Sequence, residues 1–132
     1  MKISKKIINK IYDHGKKEAP IEACGYLAGI NDEVVNFYQM HNIDQSNEHF
    51  TLDPQEQFDV MKKVRINGLE ILAVYHTHPE SPARPSTEDI KLAFDPGILY
   101  VILSLLENKN NIKAFKIIKG QVTEQRLIVE EQ

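Results

Sequence analysis

Two histidines and a nearby aspartate have the residue types and spacing that a hydrolytic metal site needs. His76 and His78 stand one residue apart directly after an apolar run, and Asp89 follows a proline-rich span. If the apolar run is a strand, the alternation of its side chains places both imidazole rings on one face. A catalytic zinc ion usually takes three protein ligands and leaves a fourth position for water. The pattern is therefore consistent with a metal centre, in which Asp89 is the leading candidate for the third ligand.

The residues around Asp89 also fit a purely structural role. Ser86 is a suitable N-cap, and Asp89 stands at the third position of the helix that would follow, which is the arrangement of a capping box. In that role the carboxylate accepts a hydrogen bond from a backbone N–H and needs no metal. The two roles are compatible, because a helix that begins here fixes the direction of the Asp89 side chain.

Hydrophobic spacing and turn residues predict the elements that position these side chains. The predicted helices run from 3 to about 15, from 53 to 67 and from 87 to 94. The predicted strands are 22–30, 34–40, 70–75, 98–106, 112–118 and 121–129, with turns at 31–32 and 109–111. Helices interspersed with buried strands predict an α/β fold with a mixed central β-sheet flanked by helices. The length of 132 residues fits one domain that spans 1–132.

Composition excludes several classes of function. The formal net charge of −3 and the absence of a basic stripe argue against a nucleic-acid partner. No apolar run approaches the roughly 18 residues of a membrane-spanning helix, so no membrane partner is expected. The first residues do not resemble a signal peptide and the single cysteine, Cys24, has no internal partner for a disulfide, so a cytoplasmic location is expected.

The order of the acidic, histidine and serine residues resembles the signature of the JAMM (MPN-plus) metalloprotease family. The signature comprises Glu22, then His76-Thr77-His78, and after a short span Ser86-Thr87-Glu88-Asp89, with Pro79 and Pro85 also typical. The segment 22–29 resembles the surroundings of the family's acidic residue. The resemblance covers nearly the whole chain and implies a JAMM/MPN-like, cytidine-deaminase-like fold.

The resemblance also implies a role for each residue of the signature. His76, His78 and Asp89 would bind one zinc ion per chain. Glu22 would act as general base toward the metal-activated water and then as general acid toward the departing amine. Ser86 would donate a hydrogen bond to the oxyanion of the tetrahedral intermediate, a task distinct from nucleophilic attack.

Family members of the compact, stand-alone bacterial or archaeal kind imply a class of substrate. The chain is expected to be a zinc-dependent peptidase or isopeptidase that cuts after the C-terminal Gly-Gly tail of ubiquitin-like or sulfur-carrier proteins, similar to members that process sulfur carriers or desampylate conjugates. That substrate protein is the expected partner. The resemblance leaves open whether the chain forms a homodimer.

Two other functions remain open from the sequence. The first is a catalytically silent MPN-type interaction scaffold, although no residue of the signature is missing. The second is zinc hydrolysis of a small-molecule amide or a deamination, but deaminases pair a histidine motif with a later Cys-x-x-Cys that one cysteine does not supply.

Several other reactive residues have simpler interpretations. Cys24 lies in a small apolar run and is expected to pack like a hydrophobic residue rather than act as a nucleophile. Surface or hydrogen-bonding roles are expected for the three other histidines, and solvated or helix-dipole roles for two acids near the signature. These residues are His14, His41, His49, Glu80 and Glu88.

Overall fold

An eight-stranded mixed sheet forms the centre of the computed structural model, which describes residues 1–106 and 111–131. The strands are β1 (Lys2–Ser4), β2 (Cys24–Ile30), β3 (Glu33–Met40), β4 (Glu70–His78), β5 (Leu99–Ser104), β6 (Asn111–Ile118), β7 (Gln121–Gln125) and β8 (Ile128–Glu130). The helices are α1 (Lys5–Glu18), α2 (Pro54–Ile66) and α3 (Thr87–Lys91). The sheet order is β7-β6-β5-β4-β2-β3-β1-β8.

Helices pack on both faces of this sheet, and alternate residues of the central strands supply the two cores. On one face, Ile8 and Ile11 of α1 share a hydrophobic cluster with Ala73 and Tyr75 of β4. On the other face, Val60 and Val64 of α2 join a cluster that includes Val74. The predicted α/β fold with a mixed central sheet flanked by helices is therefore confirmed. None of the described helices is long and apolar enough to cross a membrane.

The central strand β4 extends further than its apolar run and carries both histidines of the signature. It pairs with the antiparallel strand β2 on one side and with the parallel strand β5 on the other. The pairing with β5 continues as far as His78, which lies opposite Ser104. The sequence predicted its end at Tyr75, because polar side chains replace apolar ones there. Backbone pairing with two neighbours maintains the strand for three more residues.

The first prediction to be corrected is the start of the N-terminal helix. Residues Lys2–Ser4 form strand β1 between β3 and β8, with Ile3 fully buried, and α1 begins only at Lys5. Ser4 caps the helix by accepting a hydrogen bond from the Ile7 N–H at 3.2 Å. The helix also continues past Gly15 to Glu18. Apolar spacing did not distinguish a three-residue buried strand from a first helical turn.

Three further boundaries differ from prediction. The predicted strand 121–129 is two strands, because the chain leaves β6 after Gln125 and places β8 beside β1 at the opposite edge of the sheet. Glu22 precedes strand β2 instead of belonging to it, and α3 ends at Lys91. The predicted turn at 109–111 lies largely outside the described residues.

Candidate metal centre

His76 and His78 bring their ring nitrogens together at the end of β4. Each residue is 2% exposed, and their Nε2 atoms are 3.1 Å apart. The Oδ2 atom of Asp89 lies 3.1 Å from Nε2 of His76 and 3.0 Å from Nε2 of His78. Three potential ligand atoms thus converge on one point. The structure brings together the residues that the sequence singled out for metal binding.

A backbone hydrogen bond orients the ring of His78. Its Nδ1 atom donates to the Pro82 carbonyl oxygen, at a distance of 2.8 Å. In a neutral imidazole a proton on Nδ1 leaves the lone pair on Nε2, which is the nitrogen that faces Asp89. A hydrogen bond of this kind is the usual support of a metal-binding histidine. The proline-rich span therefore orients the His78 ring as well as connecting β4 to α3.

The ring of His76 packs against an aromatic side chain. It stacks on Phe50, with ring centroids 4.8 Å apart and an interplanar angle of 29°. Its Nδ1 atom is buried and has no hydrogen-bond partner among the described residues. Burial lowers the pKa of His76 although Asp89 opposes that shift, so the neutral form that binds metal ions is favoured.

Asp89 is held in place by the predicted capping box. Ser86 Oγ accepts from the Asp89 N–H at 3.0 Å, and Asp89 Oδ2 accepts from the Ser86 N–H at 2.9 Å. The same oxygen faces both histidines, so capping and convergence on the histidines coexist. Burial alone would raise the pKa of Asp89, but the contacts of its carboxylate with His76, His78 and the Ser86 amide outweigh burial and hold that pKa well below its usual range.

Glu22 adds a second carboxylate to the cluster. It is 2% exposed, and one of its oxygens lies within 4.8 Å of a ring nitrogen of both His76 and His78. Its Oε1 atom has no hydrogen-bond partner among the residues that the structure describes. Burial raises the pKa of Glu22 to about 8. Glu22, His76 and His78 form a group that could hold a metal ion, and Asp89 approaches the same histidines more closely.

The loop that covers the centre depends on one asparagine that the sequence did not reveal. The Asn42 side chain donates to the carbonyl oxygens of Glu22 and His49, at 3.1 and 3.0 Å. Its Oδ1 atom accepts from the N–H groups of Asp44 and Thr51. These bonds hold Glu22 and the loop before Phe50 in one arrangement. No local pattern signals the role of Asn42, because its partners Glu22, His49 and Thr51 are 20, 7 and 9 residues away in sequence.

Comparison with known proteins decides the family. Residues 4–118 match the model of prokaryotic homologs of the JAB domain. The chain belongs to this family. The predicted resemblance to JAMM (MPN-plus) proteins is thereby confirmed.

Several curated relatives of this JAB-domain protein carry peptidase names. It is 32% identical over 129 residues to the CysO-cysteine peptidase of Mycobacterium tuberculosis, covering 96% of this chain and 88% of the relative. It is 35% identical to a probable TtuB-protein conjugate cleaving protease of Thermus thermophilus, covering 82% and 70%. A desampylase of Haloferax volcanii is 32% identical, with 73% and 74% covered. The protein is accordingly a hydrolase of the peptidase class, as the sequence predicted.

Solved structures show the same fold for the JAB domain. A protein from Desulfitobacterium hafniense, solved in solution, shares 43% identity with a TM-score of 0.91, and covers 99% of this chain and 93% of its own. A JAB1/MPN domain protein from Archaeoglobus fulgidus has a TM-score of 0.70 at 24% identity, with 99% and 100% covered. The second likeness concerns the fold alone.

Two cavities reach the metal centre of this JAB domain. An apolar cavity of about 370 Å³ touches His76 and Asp89. Its apolar walls include Phe50, Leu52, Leu92, Phe94, Tyr100 and Ile102. A second cavity of about 550 Å³ touches His78, Glu22 and Ser86. The centre is therefore accessible from an apolar side and from a polar side.

The remaining reactive residues of the JAB domain are not among those whose ligand atoms converge at the centre. Cys24 is fully buried opposite His76 in the sheet, and burial raises the pKa of its thiol to about 12, so the packing role is confirmed. The other histidines have hydrogen-bond partners, namely Tyr75 for His14, Glu56 for His41 and Asp44 for His49. Glu80 and Glu88 are exposed acids on the wall of the polar cavity.

Proposed function

We propose that this protein is a zinc-dependent peptidase or isopeptidase that cleaves after the C-terminal Gly-Gly tail of a ubiquitin-like or sulfur-carrier protein. The observation that carries the proposal is the convergence of His76, His78 and Asp89 within 3.1 Å of one another, with the buried Glu22 beside them. Two imidazoles and one carboxylate are a ligand set typical of catalytic zinc.

Asp89, rather than Glu22, is proposed as the carboxylate ligand. Asp89 is oriented by the Ser86 amide, and its low pKa keeps it in the ionised form that a metal ligand needs. Oε1 of Glu22 has no hydrogen-bond partner in the described part of the chain, and the pKa of about 8 lets Glu22 exchange a proton near neutral pH. The two carboxyl groups thus suit different tasks, because their surroundings move their pKa values apart.

Zinc would supply a Lewis acid, which polarises the scissile carbonyl and lowers the pKa of a coordinated water. Hydrolysis of an amide joins the oxygen of water to the carbonyl carbon, breaks the carbon–nitrogen bond and leaves the nitrogen with an additional proton. Glu22 would accept the proton that water gives up and deliver it to the amine. The Ser86 hydroxyl lines the same cavity and donates to the oxyanion that develops.

The proposed substrate class rests on the curated relatives together with the site. Their names refer to a CysO-cysteine adduct, a TtuB–protein conjugate and desampylation. We infer that this chain also acts on a carrier protein through its C-terminal tail. The apolar cavity beside His76 and Asp89 offers a place for the carrier side of the scissile bond. A silent scaffold is less favoured, because such a role would not require a buried Glu22 beside two converging histidines with its Oε1 unpartnered among the described residues.

The decisive experiment is cleavage of a sulfur-carrier protein extended beyond its Gly-Gly terminus. We expect the mass of the carrier to fall to that of the form ending in Gly-Gly. Addition of a chelator and the substitution Glu22→Gln should each abolish the reaction. Failure to cleave any of a panel of such carriers would overturn the substrate class.

Metal analysis separates loss of the metal from loss of the base. The purified protein should contain about one zinc ion per chain, and His76→Ala or Asp89→Ala should remove it. Glu22→Gln should retain zinc while losing activity, because Glu22 is not proposed as a ligand. Loss of zinc in Glu22→Gln would instead make Glu22 a ligand.

A further inference from the structure

His49 is the only described residue that lines both of the cavities at the metal centre. The apolar cavity also touches His76 and Asp89, and the polar cavity also touches Glu22 and His78. A substrate whose scissile carbonyl lies at the centre extends into both cavities. The His49 side chain therefore borders the substrate where its chain crosses from one cavity to the other.

Asp44 orients the ring of His49 and determines which nitrogen carries the proton. Nδ1 of His49 lies 2.9 Å from Oδ2 of Asp44, and the Thr51 hydroxyl donates to the same oxygen at 2.6 Å. The hydrogen bond from Thr51 lowers the pKa of Asp44, so the ionised carboxylate only accepts hydrogen bonds. In the neutral imidazole the proton is therefore on Nδ1, and Nε2 carries a lone pair.

The backbone around His49 is also held in place. The Asn42 side chain donates to the His49 carbonyl oxygen at 3.0 Å and accepts from the Asp44 N–H at 3.1 Å. The next residue, Phe50, stacks on His76. Because the ring and the backbone of His49 are positioned before a substrate binds, less conformational entropy is lost on binding.

Nε2 of His49 is a suitable acceptor for a group of the substrate. Of the two ring nitrogens, the described residues bond only to Nδ1, and the His49 side chain is 44% exposed. The walls of the apolar cavity offer few polar groups. A backbone N–H that enters this cavity loses its hydrogen bonds to water and therefore needs a protein acceptor.

We propose that Nε2 of His49 accepts a hydrogen bond from the backbone N–H of the terminal glycine of the carrier tail and so aligns the scissile carbonyl at the centre. This inference rests on the proposed function. The amine leaves on the Glu22 side, because a general acid has to lie within hydrogen-bond reach of the departing nitrogen. The N–H of the terminal glycine lies on the other side of the scissile carbonyl, where the apolar cavity begins.

The test removes the donor and the acceptor separately and together. The donor is removed from an extended carrier by replacing its terminal glycine with glycolic acid, which puts an ester oxygen in place of the N–H without added bulk. His49→Asn removes the acceptor, because its amide reaches Asp44 but not the position of Nε2. The parent protein should cleave the ester carrier with about two- to tenfold lower kcat/KM than the amide carrier. In His49→Asn the two carriers should be cleaved almost equally.

Two further variants serve as controls. His49→Gln should restore the difference between the carriers, since its carbonyl oxygen reaches the position of Nε2. Gln57 carries another neutral acceptor on the wall of the apolar cavity but does not line the polar cavity, so Gln57→Leu should keep the difference of the parent. Every variant should retain the zinc content of the parent, because neither residue is a proposed ligand.

A binding measurement without turnover observes the His49 ring directly. Each carrier is added to zinc-loaded Glu22→Gln protein, and nitrogen-15 NMR follows the imidazole nitrogens. The amide carrier should shift the Nε2 resonance, whereas the ester carrier should shift it much less. Equal shifts with the two carriers would contradict a hydrogen bond to the glycine N–H.

The outcomes distinguish this inference from the proposed function. If the parent cleaves both carriers equally, or if His49→Asn keeps the full difference, the role of His49 is overturned and the peptidase stands. A difference that disappears in Gln57→Leu but not in His49→Asn would move the contact to Gln57. If the zinc-loaded parent cleaves neither carrier, the proposed function fails and the inference fails with it.

Discussion

The Ser86 hydroxyl combines a structural role with a proposed chemical one. Its oxygen accepts from the Asp89 N–H and thereby begins α3 in the direction that brings the carboxylate to the histidines. The hydroxyl proton is not used in that bond, and the residue lines the cavity that Glu22 also lines. The same side chain can therefore position a ligand and donate to an oxyanion.

Ser86→Ala should damage both roles. Loss of the cap should lower the free energy of unfolding by about 0.5–2 kcal/mol. Loss of an oxyanion donor should lower kcat by roughly 10²–10³ at saturating zinc. Ser86→Thr retains the hydroxyl and serves as the matched control. Denaturant unfolding and steady-state kinetics measure the two effects, and a full kcat in Ser86→Ala would exclude Ser86 from the chemistry.

At the residue scale, the sequence revealed those members of the site that local rules connect. Strand alternation was sufficient to place His76 and His78 on one face, and the capping pattern placed Asp89. Glu22 approaches them only through tertiary structure, so no spacing rule could predict it and only the family resemblance pointed to it. Asn42 and Phe50 act through equally distant contacts and were missed.

At the element scale, the close packing of α1 on β4 explains a glycine inside a helix. A Cβ atom at Gly15 would lie 2.7 Å from Cγ2 of Thr77 and 3.5 Å from Cδ2 of Leu105. Thr77 is fully buried between the two histidines, and its Oγ1 accepts from the Ala23 N–H. Because Thr77 has no room to turn away, the helix can approach the strand only where no side chain intervenes.

Gly15→Ala should destabilise the protein, against its helix propensity. Relative to glycine, alanine stabilises a helix interior by up to about 1 kcal/mol. Overpacking a rigid site costs about 1–3 kcal/mol, so with the full helix gain subtracted we expect a net loss of up to about 2 kcal/mol in the free energy of unfolding. Thr77→Ser removes the clashing methyl group and should recover most of that loss in the double variant, measured as a double-mutant cycle. A stabilised Gly15→Ala would contradict this packing.

The same contact explains why element boundaries were harder to predict than element types. Glycine usually ends a helix, yet Gly15 lies within α1 because a tertiary contact requires it. Strand β8 separates from β7 because β1 offers an unpaired edge across the molecule. Central strands with long apolar runs were correctly predicted to be strands, since burial on both faces leaves a clear pattern, although β4 continues three residues beyond its predicted end.

At the scale of the whole molecule, the metal centre joins the short helix α3 to two neighbouring strands of the central sheet. Glu22 precedes β2, the histidines end β4, and Asp89 belongs to α3, which has no buried residue of its own. The backbone bonds that define α3 include those from the Ile90 and Leu92 N–H groups, each 3.0 Å long. With so little apolar burial, a metal that binds Asp89 would contribute a large part of the stability of this segment.

Removal of zinc should therefore loosen α3 while leaving remote elements unchanged. At a free zinc concentration 100 times Kd, binding stabilises the folded state by about 2.7 kcal/mol, and any opening that releases the metal loses this amount. We expect a chelator to accelerate amide hydrogen exchange of Ile90 and Leu92 by up to about 100-fold. Amides of edge strand β7 that exchange through local openings, which leave the site intact, should exchange at an unchanged rate. Asp89→Asn should show the fast exchange even with zinc present, and equal protection with and without metal would argue against Asp89 as a ligand.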